Sequence, residues 1–148
     1  MAVIEGAGSR LATVTRSFTE TTGAGTYTAT VPLPAGAVIQ DVRWNNTALW
    51  TAATSATLNV GDALDPDGYF AAVNLKTAPV ADVNNAGGIS SVDSDTGAGA
   101  YAGFLNSYPS GGTITAQVVT VGATGNAGRS TLTVQYSTVG GSGAATKV

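Results

Sequence analysis

Apolar and polar residues alternate with a period of two along much of this chain, in short runs bounded by glycine, proline, asparagine and aspartate. In TYTATVPL, Tyr27, Ala29, Val31 and Leu33 share one face of an extended strand, and Thr26, Thr28 and Thr30 share the other. The same reading turns Ala56, Leu58 and Val60 inward in ATLNV, Tyr69, Ala71, Val73 and Leu75 in YFAAVNL, and Leu132, Val134 and Tyr136 in STLTVQYST. Runs with one apolar side predict antiparallel sheets with one wet face. Further strands are predicted for LATVTRSF from Leu11, for AVIQDVRW from Ala37 to Trp44, and for TITAQVVTV from Thr113 to Val121. Segments near Thr47 to Thr51, Ile89 to Val92 and Ala100 to Leu105 carry less of the pattern. No window holds a stripe of period 3.6, and Gly and Thr disfavour helices.

Eight to ten strands in 148 residues predict an all-β fold, an antiparallel β-sandwich of jelly-roll-like type. TITAQVVTV and RSTLTVQYST flank GATGNAG, and the three stretches read as one hairpin with an exposed loop tip from Gly122 to Gly128. Pro32, Pro34 and Gly36 stop one strand and start the next. The sandwich is expected to occupy residues 1–138 as one domain, with 76–112 as a long loop region rich in Gly, Asn, Ser and Asp. Residues 139–148 read as a flexible C-terminal tail.

Composition sharpens this picture by what it withholds. Charged residues make up 10% of the chain, against roughly 25% in an ordinary globular protein, so hydroxyls and amides solvate the surface or partners cover it. The six basic residues stand singly and the net charge is -3, so no basic stripe addresses nucleic acid. Without cysteine or histidine there is no disulfide, thiolate nucleophile, histidine triad or zinc site of the usual ligands. The stretch MAVIEGAGSRLATVTRSF lacks the leader and apolar run of a secretory signal, and no run approaches the roughly 18–20 apolar residues of a membrane span. A soluble protein made in a cytoplasm, with no membrane partner, is the expectation.

The densest acidic stretch is VGDALDPDGYFA, with Asp62, Asp65 and Asp67 in six positions. Three carboxylates and Gly68 form a candidate calcium loop of hard oxygen ligands, although the helix-loop-helix calcium pattern is absent. The spacing favours a plain turn, in which Pro66 presets φ, Gly68 takes a strained φ and the Asp65 side chain bonds the backbone two residues on. Asp93, Asp95 and Gly97 in VDSDTGAG repeat the motif in reduced form. Carboxylate-pair catalysis needs two acids across a cleft, one with a raised pKa. Glu5 and Glu20 instead lie in or beside polar N-terminal segments and the aspartates lie in turns. No S-x-x-K occurs, and the glycine motifs GAGAY and GATGNAG open no helix, so neither an enzyme nor a bound cofactor is expected. Trp44 and Trp50 in RWNNTALW form either a platform for a sugar ring or anchors of the core, with Asn45-Asn46 reading as a turn between them. Tyr101 and Tyr108 complete the candidate ligand or interface residues.

Three stretches together, LPAGAVIQDVRW (33–44), LNVGDALDPDGYFAAVNL (58–75) and GGTITAQVVTVGATGNAGRSTLTVQYS (111–137), resemble small all-β virion proteins of tailed bacteriophages, a class that includes capsid decoration (cement) proteins and head fibres. The resemblance covers about half the chain and implies a non-enzymatic virion protein, made in the host cytoplasm. It implies binding to the phage major capsid protein as a homo-oligomer, with a trimer favoured. Pro34, Gly36, Gly61, Asp62, Asp65, Pro66, Asp67 and Gly68 would then be architectural. The contact segments expected are residues 1–10 and 76–112. The alternative is a carbohydrate- or receptor-binding module of a head fibre or tail.

Overall fold

The computed structural model describes residues 10–77, 89–90, 106–122 and 125–138, and all nine strands below lie within them. One sheet has the order β1 (Arg10–Thr19), β9 (Arg129–Thr138), β3 (Ala37–Ala48) and β6 (Ile89–Ser90), and β7 (Ser107–Tyr108) also pairs with β3. The other has the order β2 (Gly25–Leu33), β8 (Gly112–Val121), β4 (Ser55–Gly61) and β5 (Phe70–Asn74). Every pairing is antiparallel. The chain alternates between the sheets from β1 to β4, and the two interior positions nearest β1 and β2 are filled by the late strands β9 and β8. A five-stranded and a four-stranded sheet interleaved in this way give the antiparallel sandwich that the strand pattern predicts.

The alternation decides what lies between the sheets. Val31, Leu33, Ala56, Leu58, Val60, Val73, Leu132 and Val134 are buried, and Tyr27, Ala29 and Tyr136 pack half-buried against them. Each large apolar side chain gains about 1.5–3 kcal/mol by leaving water. Trp44, Trp50, Tyr69 and Phe70 supply most of the core's aromatic bulk. Phe18 meets Trp44 with ring centroids 4.8 Å apart, and Tyr27 meets Trp50 edge-on at 5.1 Å. At the side where β1 and β2 approach, the half-buried Arg16 donates from Nε to the Thr30 carbonyl at 3.0 Å and ties one sheet to the other.

Three local expectations change. The stretches TITAQVVTV and RSTLTVQYST are strands, β8 and β9, but not a hairpin: β8 pairs with β2 and β4, and β9 with β1 and β3. Their connector crosses between sheets roughly 10 Å apart; in it Gly125 and Gly128 are buried, and Asn126 and Ala127 between them are exposed. Asn45-Asn46 makes no turn, because β3 runs on through both residues to Ala48, pairing them with Thr131 and Ser130. In β5, a bulge sets Ala71 and Ala72 against Asn59 alone, between the pairs Leu58–Val73 and Val60–Phe70. The extra residue buries Phe70, leaves Ala71 half-buried and puts Ala72 at φ 50°. The Ala72 amide donates to Asn59 Oδ1 at 2.7 Å, which anchors the bulge.

Candidate interaction surface

The acidic stretch forms the connection from β4 to β5 at one end of the sandwich. Asp65-Pro66-Asp67-Gly68 is a β-turn closed by the Gly68 amide donating to the Asp65 carbonyl at 3.1 Å. The Asp62 amide donates to the same carbonyl at 2.9 Å. The side chain that organises the loop is that of Asp62: Oδ1 accepts the amides of Leu64 at 2.9 Å and Asp65 at 3.0 Å. Asp65 was expected in that role, and Gly68 was expected at a strained φ that it does not have. The glycine the loop requires is Gly61, where a Cβ would overlap the Asp65 carbonyl and the Pro66 backbone.

Asp62 and Tyr108 lie 46 residues apart and meet here, with the Tyr108 hydroxyl donating to Asp62 Oδ2 at 2.8 Å. The hydroxyl of Tyr69 lies 2.9 Å from that of Tyr108, and Asn106 Nδ2 donates to the Tyr69 oxygen at 3.4 Å. Burial pushes both phenols above their ordinary value, and for Tyr108 the neighbouring Tyr69 and the Asp62 carboxylate push the same way. They are neutral hydrogen-bonding groups throughout the physiological range. Beside them lies an open pocket of about 360 Å³ lined by Asp62, Leu64 and residues 106–111, with Leu64 at its lip 91% exposed.

Asp65 and Asp67 face each other on the outside of the turn. The hydrogen bond with the Asp67 side chain raises the Asp65 pKa, with smaller repulsion from Asp62. Asp65 therefore takes up a proton more readily than an isolated aspartate would. Among the described residues no three acidic side chains converge closely enough to hold a metal ion. Asp93 and Asp95 lie outside the described residues, as does Tyr101.

Trp44 and Trp50 offer no platform: each is 1% exposed. Their indoles belong to a buried relay in which Trp50 Nε1 donates to Ser130 Oγ at 2.7 Å and Ser130 Oγ donates to Asn46 Oδ1 at 2.6 Å. Trp44 Nε1 donates to that same oxygen at 2.9 Å. Because an indole nitrogen only donates, Asn46 must present its oxygen there, and its Nδ2 is left buried without a partner.

The opposite end of the sandwich is held by Glu20, which is 2% exposed. Its Oε2 accepts the Thr51 amide, the Thr51 hydroxyl and the Gly128 amide, each at 2.9 Å, and Oε1 accepts the Ala52 amide at 2.8 Å. Burial opposes the charged form, yet these four donors outweigh it and hold the Glu20 pKa below the ordinary carboxylate value. Lys76 Nζ caps the carbonyls of Ala52 and Ala53, and Arg129 caps those of Asn126 and Gly128, so two cations flank the loops that the anion gathers.

No protein-family model matches the chain, and no curated protein does. Solved structures do. A chain of the cyanophage Pam1 capsid asymmetric unit is similar over 93% of this chain and 90% of its own, with 26% identity and a TM-score of 0.54. A chain in the acidic stable capsid structure of Helicobacter pylori bacteriophage KHP30 is similar over 84% of this chain and 93% of its own, with 16% identity and a TM-score of 0.49. Both are phage capsid structures.

The polar side chains described at the two ends are engaged within the fold. Asp62, Tyr69, Tyr108 and Asn106 bond one another, Glu20 bonds three backbone amides and the Thr51 hydroxyl, and the tryptophans bond Ser130 and Asn46 in the core. Sequence reasoning found Asp62 and Tyr108 without their contact and passed over Glu20. A signal for Glu20 was available: it falls in phase with the inward residues Ala12, Val14, Arg16 and Phe18 of β1.

Proposed function

We propose that this protein is a non-enzymatic structural component of a phage virion that binds and stabilises a capsid as a decoration protein. The observation that carries the reading is the likeness over nearly its whole length to a chain of the cyanophage Pam1 capsid asymmetric unit. The motif resemblance to small virion proteins supports it independently. So does a turn end whose polar side chains are engaged in holding shape, beside a pocket lipped by the exposed Leu64. Shell binding of this kind repeats one modest contact at many symmetric sites and gains strength from their number. The partner is the major capsid protein and the location is the virion.

Purified protein mixed with phage shells that lack it will co-sediment with them, saturating at a fixed ratio to the shell subunit. A protein that stays in the supernatant with every shell of its own phage, expanded or not, would remove the decoration role.

A further inference from the structure

The two sheets differ in charge. The strands β1, β3 and β9 carry Arg10, Arg16, Asp41, Arg43 and Arg129, whereas β2, β8, β4 and β5 contain no charged residue at all. The outer face of that second sheet is a field of threonine, asparagine and glutamine, with Thr28, Gln117 and Asn74 exposed. Toward one end of it Val119 and Val121, in the last residues of the interior strand β8, are 38% and 48% exposed. A sheet face open to water ordinarily carries lysine or glutamate, which solubilises it and blocks wrong association.

We infer that this face pairs with the same face of a second copy of the chain, sheet against sheet, about a twofold axis that crosses the strands. Four strands about 4.8 Å apart and averaging some eight residues at about 3.3 Å each span roughly 500 Å². Doubling gives about 1,000 Å², the floor for a specific interface. Aligned sheets pack in this manner within sandwiches.

Charge fixes the orientation. The Asp65–Asp67 turn and Lys76 lie at opposite ends of the same β4–β5 edge, since Val60 pairs with Phe70 at one end and Thr57 with Asn74 at the other. A twofold axis across the strands keeps β5 over β5 and reverses its direction. Asp65 and Asp67 of each copy then come beside the other's Lys76, which has no carboxylate partner among the described residues. The uncharged centre meets itself without repulsion. A foreign partner would need no such match between the two ends.

Sedimentation velocity and light scattering on the full chain at micromolar concentration test this. The expected mass is twice 14.6 kDa. Val119→Lys and Gln117→Lys, each placing like charges across the axis, are expected to halve that mass with the circular dichroism and Tm unchanged. Asp67→Lys is expected to weaken pairing several-fold, and added salt to weaken the wild-type pair. A wild-type chain that is monomeric throughout the micromolar range would overturn the inference. So would a trimer, or an oligomer that both lysine variants leave intact. A monomer whose co-sedimentation with shells is abolished by Val119→Lys would assign the face to the shell and overturn it equally. Because shell binding is read separately, loss of pairing leaves the capsid reading standing, and the reverse.

Discussion

Glu20 and Gly128 hold each other by two reciprocal hydrogen bonds across 108 residues of sequence: the Glu20 amide donates to the Gly128 carbonyl at 2.8 Å, and the Gly128 amide donates to Glu20 Oε2 at 2.9 Å. The side chain of Glu20 carries the clasp on to Thr51 and Ala52, so one carboxylate joins the end of β1 to the β3–β4 and β8–β9 connections. Gly128 must be glycine for this approach, because a Cβ there would press on the Trp50 ring.

Glu20→Gln keeps the shape but turns one donor toward another. With the amide oxygen placed where three donors converge, its NH2 faces the Ala52 amide, and the expected cost is about 1–3 kcal/mol. Glu20→Ala strands all four donors and costs more. Thermal unfolding at neutral pH checks both, at about 2–4 °C per kcal/mol for a chain of this length. A variant as stable as the parent would show that the clasp contributes nothing.

The pH dependence follows from the depressed Glu20 pKa. A carboxylate held below its ordinary value of 4.5 contributes stability that is fully present above that value and lost as pH falls through the folded value. Melting temperature is therefore expected to fall below pH 4.5, and to fall less steeply in Glu20→Gln. Parallel profiles for the two proteins would assign the acid sensitivity elsewhere.

Asp65 has the opposite sign. Since the hydrogen bond with Asp67 raises the Asp65 pKa, the ionised Asp65 opposes folding at neutral pH and the opposition fades as Asp65 takes up a proton. Asp67→Asn supplies an amide donor to the Asp65 carboxylate and is expected to raise the melting temperature at pH 7. The advantage should shrink as pH falls from neutral toward the ordinary aspartate value of 3.8 and be gone below it. Destabilisation at pH 7 would mean that Asp67 holds something other than Asp65.

Gly61→Ala tests the turn. The added methyl would overlap the backbone of Asp65 and Pro66, neither of which is the far end of a flexible side chain. Overpacking of that kind is expected to cost about 3 kcal/mol or more. Gly68→Ala, at ordinary φ, serves as the comparison and should cost less. Equal melting temperatures for the two would contradict the loop geometry.

Ser130→Ala breaks the tryptophan relay by removing the acceptor for Trp50 Nε1 and a donor to Asn46 Oδ1. A loss of about 1–3 kcal/mol is expected, with a shift in tryptophan emission as the indole loses its partner. Trp50→Ala removes a fully buried ring and is expected to cost about 3–5 kcal/mol. Any glycan binding lost in that variant would therefore report unfolding, and binding retained by a folded Trp50→Phe protein would exclude Trp50 as the platform.

Much of this fold is present in the sequence by itself. Period-two alternation located the long strands and their inward faces, because an extended chain sends successive side chains to opposite sides whatever it pairs with. The turn residues marked where strands end, since proline and glycine act on the local backbone. Partnership is a different matter. Nothing in TITAQVVTV or RSTLTVQYST distinguishes a hairpin from two strands in opposite sheets, and only the closed sandwich sends β8 to β2 and β4, and β9 to β1 and β3. The same holds for the bulge that buries Phe70, for the contact of Asp62 with Tyr108, and for Glu20. Glu20 is a polar residue at a strand end in the sequence and a buried anion in the structure, because its four donors come from segments that tertiary packing alone brings together. Composition limited the chain to few charges. Tertiary structure decided that one whole sheet would have none.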